Sequence, residues 1–146
     1  MFPTRPRTRL LFLDFDGVVH PLAPTEQLHP NGWFCWLPLL AEQLRAWPEV
    51  QLVVHSSWRA RFDYSELRQL LGALAPRFIG AAPDLPKAQA IASVLQANAG
   101  RIRDHVVLDD DARLEGVRGL NLILCDPKEG LSGSKTQAAL ARWLAS

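Results

Sequence analysis

Residues 10–19 read LLFLDFDGVV, and this stretch decides the fold because four apolar residues run directly into two carboxylates and a glycine. An unbroken apolar run of this length is typical of a parallel β-strand that is covered on both faces. Side chains two residues apart on an extended chain share a face, so Asp14 and Asp16 can converge while Phe15 packs the other way. The stretch therefore predicts a strand that delivers two acids to one edge of a parallel sheet.

The rest of the chain alternates between short apolar runs and helical patterns. Apolar runs recur at residues 51–54, 106–108 and 120–125, with a weaker one at 77–81. The segments between them carry leucines and alanines at three- and four-residue spacing, which is typical of amphipathic helices. This alternation predicts an α/β fold: a five-stranded parallel sheet with helices on both faces, which is a Rossmann-like, three-layer α/β/α sandwich.

Residues at the starts of two helices predict how those helices are capped. Asp63 and Glu66 have the spacing of a capping box. Ser132 or Ser134 is expected to cap the last helix.

Length and composition indicate one globular domain spanning residues 1–146. The chain has 48% apolar and 21% charged residues, and its net charge of +1 gives no electrostatic reason to expect a nucleic-acid coat or a membrane-surface protein. The apolar run at 10–13 is too short for a signal peptide, and no stretch approaches the ~18 apolar residues of a membrane span. We therefore expect a cytoplasmic protein without membrane contacts. Arg5, Arg7 and Arg9 are expected to form a solvated arm.

Polar residues follow the predicted strands at the edge where ligands bind in such sheets. Ser56 follows the second strand, Asp109 and Asp110 follow the fourth, and Lys87 begins the helix before the fourth. Aspartates gathered at one edge repel by roughly 4 kcal/mol per close pair at an effective dielectric near 20. A hard divalent cation such as Mg²⁺ removes that repulsion. Lys87 stands at the positive end of a helix dipole, so it needs an anionic partner such as a carboxylate or a phosphate.

Four segments resemble, in order, the motifs of the haloacid dehalogenase-like (HAD) phosphohydrolases. Residues 11–18 resemble the first motif, a strand followed by DxDG, and residues 52–56 resemble the second, an apolar strand that ends in serine. Lys87 resembles the third motif and residues 106–110 the fourth. The four motifs in this order are specific evidence for the family, whereas a DxD or DD pattern alone would be weak evidence for it.

The resemblance implies catalytic roles for four residues. Asp14 would be the nucleophile that takes the phosphoryl group as an aspartyl-phosphate. Asp16 would protonate the leaving oxygen and then deprotonate the attacking water. Ser56 and Lys87 would hold the phosphoryl oxygens. Because family members that cleave carbon–halogen bonds lack the second acid, Asp16 favours hydrolysis of phosphomonoesters over dehalogenation.

The resemblance also implies a Mg²⁺ site. The ion would be held by Asp14, by the backbone carbonyl of Asp16 and by the acids of the fourth motif. The register of that motif favours Asp110 as the direct ligand, with Asp109 second.

The two places where this family inserts a cap domain leave no room for one. Residues 57–86 are filled by one helix and one strand, and residues 17–49 hold one helix and the loop Val19–Phe34, which could act as a flap. The chain therefore resembles lidless members, which often act on large or macromolecular phosphoesters.

Several residues near the predicted site allow two interpretations. Trp33, Phe34 and Trp36 could form a platform for substrate or belong to the core. Arg59 could meet a substrate phosphate or be solvated. His20 is expected near the mouth of the site, and His55 is expected to be a core histidine.

With the resemblance, the sequence predicts a HAD-like sheet in the order 5-4-1-2-3 without a cap domain. It also predicts a Mg²⁺-dependent phosphatase with a phosphorylated substrate of unknown identity, and nucleic acid is expected only as substrate. One alternative is a receiver-like phospho-acceptor, although receivers carry the acceptor on a middle strand. The other is a non-catalytic binding module on a HAD scaffold, although no motif residue is missing. The sequence predicts no oligomeric state.

Overall fold

The structure, a computed structural model, describes residues 7–22 and 32–146, in which five parallel strands form one sheet. The strand order is β3-β2-β1-β4-β5, which is the predicted order read from the other edge. The strands are β1 (Thr8–Leu13), β2 (Val50–Val54), β3 (Phe78–Ala81), β4 (Ile102–Asp109) and β5 (Leu122–Leu124). Strand β1 is therefore the central strand of the sheet.

Helices cover both faces of the sheet, which confirms the three-layer fold. The helices are α1 (Leu37–Leu44), α2 (Tyr64–Leu70), α3 (Lys87–Ala97) and α4 (Ser134–Leu144). Leu11 and Leu13 of β1 share one apolar cluster with α1, α2 and α4, whereas Leu10 and Phe12 share the other with α3. Successive residues of β1 are buried on opposite faces, and this explains the unbroken apolar run.

The ends of the helices follow the predictions in one case and depart from them in another. The Asp63–Glu66 capping box is present at α2. The predicted cap of α4 is wrong, because Gly133 occupies the N-cap position and no side chain caps it. The Ser132 hydroxyl instead donates to the carbonyl of Glu129 at 2.5 Å, within the preceding 3-10 turn.

Arg9 is fully buried, so the predicted solvated arm is wrong at this residue. Its guanidinium donates to Asp104 at 2.8 and 3.0 Å and to the carbonyls of Trp143 and Leu144 at 2.5 and 2.7 Å. It also lies 4.1 Å from the centre of the Trp143 ring. Arg9 therefore joins the beginning of the central strand to the end of α4. Arg7 is exposed.

The structure describes the second insertion point throughout and the first only in part. Residues 57–86 hold a 3-10 helix at 57–60, α2, a 3-10 helix at 72–77 and β3, so no extra domain is inserted there. The central part of the predicted flap (23–31) and Arg5 lie outside the described residues. Within residues 7–22 and 32–146, no helix has the length and apolar character to cross a membrane.

Candidate active site

Strand register brings the first motif beside the second and the fourth. Leu13 of β1 pairs with Val54 on one side and with Leu108 on the other. The residues that follow these three are Asp14, His55 and Asp109, so their side chains leave the sheet at the same level. All three are buried. Local apolar strand sequences thus position acids that are about 95 residues apart in the chain.

Three carboxylates gather above this edge. Asp14, Asp109 and Asp110 each offer an oxygen, and these oxygens lie within 4.8 Å of one another. Gly17 makes room for one of them, because a Cβ at this position would lie 2.2 Å from Oδ2 of Asp110 and the φ angle is +77°. An all-oxygen set of this kind fits Mg²⁺. The Asp16 carboxylate is outside the set, and coordination of the ion by its backbone carbonyl stays a prediction.

Lys87 neutralises part of this charge. It is the first residue of α3, and its Nζ lies 3.4 Å from Asp14 and 3.0 to 3.1 Å from both oxygens of Asp109. Burial acts to lower the pKa of Lys87, but the charges of Asp14 and Asp109 outweigh it and raise that pKa. Burial, followed by the charge of Asp109, raises the pKa of Asp14 well above its ordinary value. The lysine therefore has the anionic partners that its place on the helix requires.

His55 holds Asp109 in place, a role that sequence reasoning missed. Its Nε2 lies 2.7 Å from Oδ2 of Asp109, and both side chains are fully buried. Burial is the main cause of a lowered His55 pKa, which the hydrogen bond to Asp109 opposes. Because an ionised carboxylate only accepts, the Nε2–H of His55 donates to Asp109. Burial opposes ionisation of Asp109, but the hydrogen bond from His55 and the charge of Lys87 lower the pKa of Asp109 below its ordinary value. The place of His55 beside Asp14 in the strand register was the signal that could have identified it.

Asp16 is held by two ring N–H donors. Nε2 of His20 lies 2.8 Å from Oδ1 of Asp16, and Nε1 of Trp58 donates to both carboxylate oxygens at 3.1 and 3.2 Å. The backbone N–H of Phe34 donates to Nδ1 of His20 at 3.1 Å, which leaves the His20 proton on Nε2, facing Asp16. The His20 hydrogen bond is the main cause of a lowered Asp16 pKa, and Trp58 contributes. His20 is buried, so it contacts Asp16 rather than the mouth of the site.

The acids open into a cleft of about 280 Å³. It is lined by Asp14, Asp16, Leu22, Ser57, Lys87, Asp110, Asp111 and Arg113. Ser56 is not among the lining residues, because its hydroxyl is buried and accepts the backbone N–H of Trp58 at 3.2 Å. Ser57, the next residue, is exposed. The phosphoryl-binding role of Ser56 stays a prediction, and Ser57 presents its side chain on the accessible surface.

A second cavity of about 320 Å³ adjoins the first and shares Asp16, Leu22 and Ser57 with it. Its other lining residues are Trp33, Trp58, Arg61 and Phe62. A larger cavity of about 440 Å³ between α1 and the 3-10 helix at 72–77 includes none of the site carboxylates. The two adjoining cavities therefore define the candidate site.

The three aromatic residues of the predicted platform separate in the structure. Trp33 lines the second cavity and is 38% exposed. Phe34 packs edge-on against Phe15 with ring centres 5.1 Å apart. The ring of Trp36 lies over Gly130, where a Cβ would come within 2.5 Å of it. Only Trp33 therefore remains a candidate for substrate contact.

Arg59 is half-buried and braces the loop that follows β2. Its guanidinium donates to the carbonyls of His55, Ser56 and Leu85, the last two at 3.0 and 2.9 Å. These bonds tie the second motif to the segment that precedes Lys87. Both terminal nitrogens of the Arg59 guanidinium are therefore engaged in the fold, while its buried Nε has no partner within residues 7–22 and 32–146.

Comparison with known proteins gives one match. A family described as "HAD domain in Swiss Army Knife RNA repair proteins" matches residues 10–136. This range contains all four motif segments and every candidate site residue named above. No curated protein and no solved structure matches the chain.

Proposed function

The chain belongs to the family of HAD domains found in Swiss Army Knife RNA repair proteins, and on that premise we propose that it is a Mg²⁺-dependent phosphomonoesterase that uses an aspartyl-phosphate intermediate. The observation that carries the proposal is the convergence of Asp14, Lys87, Asp109 and Asp110 above the carboxyl ends of β1 and β4. Separate residues thereby supply a nucleophile, a phosphate-binding cation and metal ligands at one place.

The first half of the reaction forms the covalent intermediate. A carboxylate oxygen of Asp14 attacks phosphorus, and the bond between phosphorus and the ester oxygen breaks. The hydrogen bonds from His20 and Trp58 lower the pKa of Asp16 in the free site, so Asp16 takes up a proton when the negatively charged phosphate ester binds beside it. It then gives this proton to the ester oxygen, so the alcohol leaves neutral. The Lys87 ammonium, which faces Asp14, also faces the oxygens of the transferring group. Both acids line the same cleft, as this sequence of events requires.

The second half releases phosphate. Asp16, now ionised, takes a proton from the water that attacks phosphorus, and the bond between phosphorus and Asp14 breaks. Asp14 returns as a carboxylate and Asp16 as an acid. Asp14, Asp110 and Asp109 would hold Mg²⁺, which when bound would supply positive charge that stabilises the transferring phosphoryl group.

The surroundings of the two fourth-motif acids support Asp110 as the more available ligand. Asp109 already accepts from His55, from Lys87 and from the backbone N–H of Asp111 at 2.9 Å. Asp110 faces Gly17 of the first motif. We therefore assign Asp110 as the principal fourth-motif ligand and Asp109 as the second.

The test is hydrolysis of nitrophenyl phosphate with Mg²⁺ and with a chelator. We expect turnover only with the metal, and none in Asp14→Asn, because the amide is not a nucleophile. Mixing Asp16→Ala with a labelled phosphate ester should trap a phosphoprotein that hydroxylamine cleaves, and Asp14→Asn should trap none. Undiminished turnover in Asp14→Asn would overturn the mechanism. A phosphoprotein that lasts for hours in the unmodified protein, without release of phosphate, would favour the receiver-like alternative.

The substrate is a further part of the proposal. The family description names RNA repair proteins, so phosphorylated RNA ends are the first substrates to compare with nucleotides, sugar phosphates and phosphopeptides. The cytoplasmic location stays a prediction.

A further inference from the structure

We propose that the aromatic cavity beside Asp16 is a leaving-group subsite that receives the nucleoside bearing the phosphoryl group, with its base against Trp33. This inference rests on the proposed phosphatase function and specifies where the organic part of the substrate binds. It concerns the cavity of about 320 Å³ lined by Trp33, Trp58, Arg61 and Phe62.

The position of Asp16 determines which cavity holds the leaving group. Asp14, Lys87 and Asp110 line only the first cavity, whereas Asp16 lines both. In the proposed reaction Asp16 protonates the ester oxygen, so this oxygen lies at the junction of the two cavities. The phosphoryl group then occupies the acidic cavity. The group attached to the ester oxygen extends into the aromatic one.

Trp33 offers the free aromatic surface of this cavity. Trp58 is already engaged, since its Nε1 donates to Asp16 and its ring stacks on Phe62 with centres 5.6 Å apart and planes 25° apart. Trp33 meets Trp58 edge-on, with planes 81° apart, and is 38% exposed. Exposed indoles bind flat π-systems, and every nucleobase has such a face. The geometry therefore favours a base as the group that covers Trp33.

Arg61 is placed to contact a second phosphate, which favours a nucleic-acid strand over a single nucleoside as the substrate. Its side chain is exposed on the rim of the cavity, and within residues 7–22 and 32–146 no hydrogen bond from its guanidinium is found. Arg59, two residues earlier, donates to three carbonyls. A guanidinium beside a stacked base suits the next phosphodiester of a single strand. A volume of about 320 Å³ is at the small end for ligand pockets, so it suits one nucleoside rather than a duplex.

The first experiment compares a nucleoside monophosphate with the matching abasic ribose phosphate. We expect the unmodified protein to prefer the nucleotide. Trp33→Ala should lower kcat/KM for the nucleotide by about 5- to 150-fold, the loss of one base–aromatic stack, and leave the abasic substrate nearly unchanged. Trp33→Phe should retain most of the preference. Tyr64→Ala is the control, because Tyr64 is 53% exposed and lines neither cavity.

The second experiment separates a strand end from a free nucleotide. Arg61→Ala should lower kcat/KM for a phosphorylated trinucleotide and not for the mononucleotide, while Arg68→Ala, on the exposed surface of α2, should change neither. Equal losses on both substrates in Arg61→Ala would refute contact with a second phosphate. A mononucleotide that is hydrolysed as efficiently as the trinucleotide would also refute it.

The outcomes separate this inference from the proposed function. If the protein hydrolyses nitrophenyl phosphate but shows no preference for a base over an abasic ribose, the subsite is wrong and the catalytic assignment stands. Equal losses on nucleotide and abasic substrates in a folded Trp33→Ala protein would lead to the same conclusion. If it hydrolyses no phosphomonoester with Mg²⁺, the proposed function itself is wrong.

Discussion

Replacing His20 should impair hydrolysis of alkyl phosphates far more than hydrolysis of nitrophenyl phosphate. His20 is buried behind Asp16 and donates to it at 2.8 Å, so it orients the proposed acid without lining either cavity of the site. An alkoxide leaves only when it is protonated, whereas nitrophenolate leaves readily without a proton. Displacement of Asp16 therefore lowers kcat mainly for the alkyl substrate.

The size of the effect follows from the hydrogen bonds of Asp16. A hydrogen bond to a charged group contributes about 1.5–3 kcal/mol. The Asp16 side chain is 41% exposed, so water replaces part of the loss. Trp58 still donates at 3.1 Å. We therefore take the low end, about 1.5 kcal/mol, which corresponds to roughly a tenfold loss of kcat for the alkyl substrate.

The assay compares kcat for the two substrates in three variants. His20→Phe keeps the ring that packs near Phe34 and Trp58, with centres 5.3 and 5.6 Å away, but removes the donor. His20→Gln restores an N–H and should recover part of the rate. His105→Phe is the control, because His105 lies in β4 and accepts the backbone N–H of Asn121. Equal losses on both substrates, or a loss without rescue by glutamine, would refute the positioning role.

Three further outcomes are expected. Mg²⁺ should raise the melting temperature more at pH 8 than at pH 5, because burial and neighbouring charge raise the pKa of Asp14 and the ion binds only its ionised form. Equal shifts in a thermal melt at both pH values would contradict this. Gly17→Ala should weaken Mg²⁺ binding by about 10- to 100-fold in a calorimetric titration, because its Cβ displaces Asp110; an unchanged Kd would be evidence against the Asp110 site. Arg9→Ala should lower the free energy of unfolding in urea by about 3 kcal/mol, and Arg7→Ala by less than about 0.5 kcal/mol. Similar losses of unfolding free energy in the Arg9→Ala and Arg7→Ala proteins would show that burial of Arg9 contributes little to stability.

Local patterns were enough to predict the sheet and the four acids of the candidate site. The apolar run at 10–13, the capping box at Asp63 and the strand-end aspartates depend on neighbours within a few residues. Parallel strands then bring their carboxyl ends to one edge whatever the loops between them do. The order of the strands was predicted with the resemblance to the HAD phosphohydrolases rather than from these local patterns, and the structure confirms it.

The residues that position the acids could not be identified in this way. His55 acts on Asp109, which is 54 residues further along, and Arg9 acts on α4 across more than 130 residues. A buried arginine and a solvated one look alike in a sequence when the partner is distant. His20 is only four residues from Asp16, but the pair lies in a turn where Gly17 donates to the His20 carbonyl at 2.9 Å. Helical or strand periodicity has no bearing on such a turn.

The hydrogen bonds between Arg9 and the distant end of α4 also impose an order on folding during translation. The ribosome makes β1 before either of its neighbours, and β4 begins only at Ile102. Arg9 finds its carbonyl partners only when Trp143 and Leu144 have been made. Contacts of such large sequence separation form late. Once β2 is made it can pair with one edge of β1, but the other edge stays unpaired until β4 is made. During that interval the apolar residues 10–13 are exposed to aggregation, and a chaperone that binds short apolar segments would protect them.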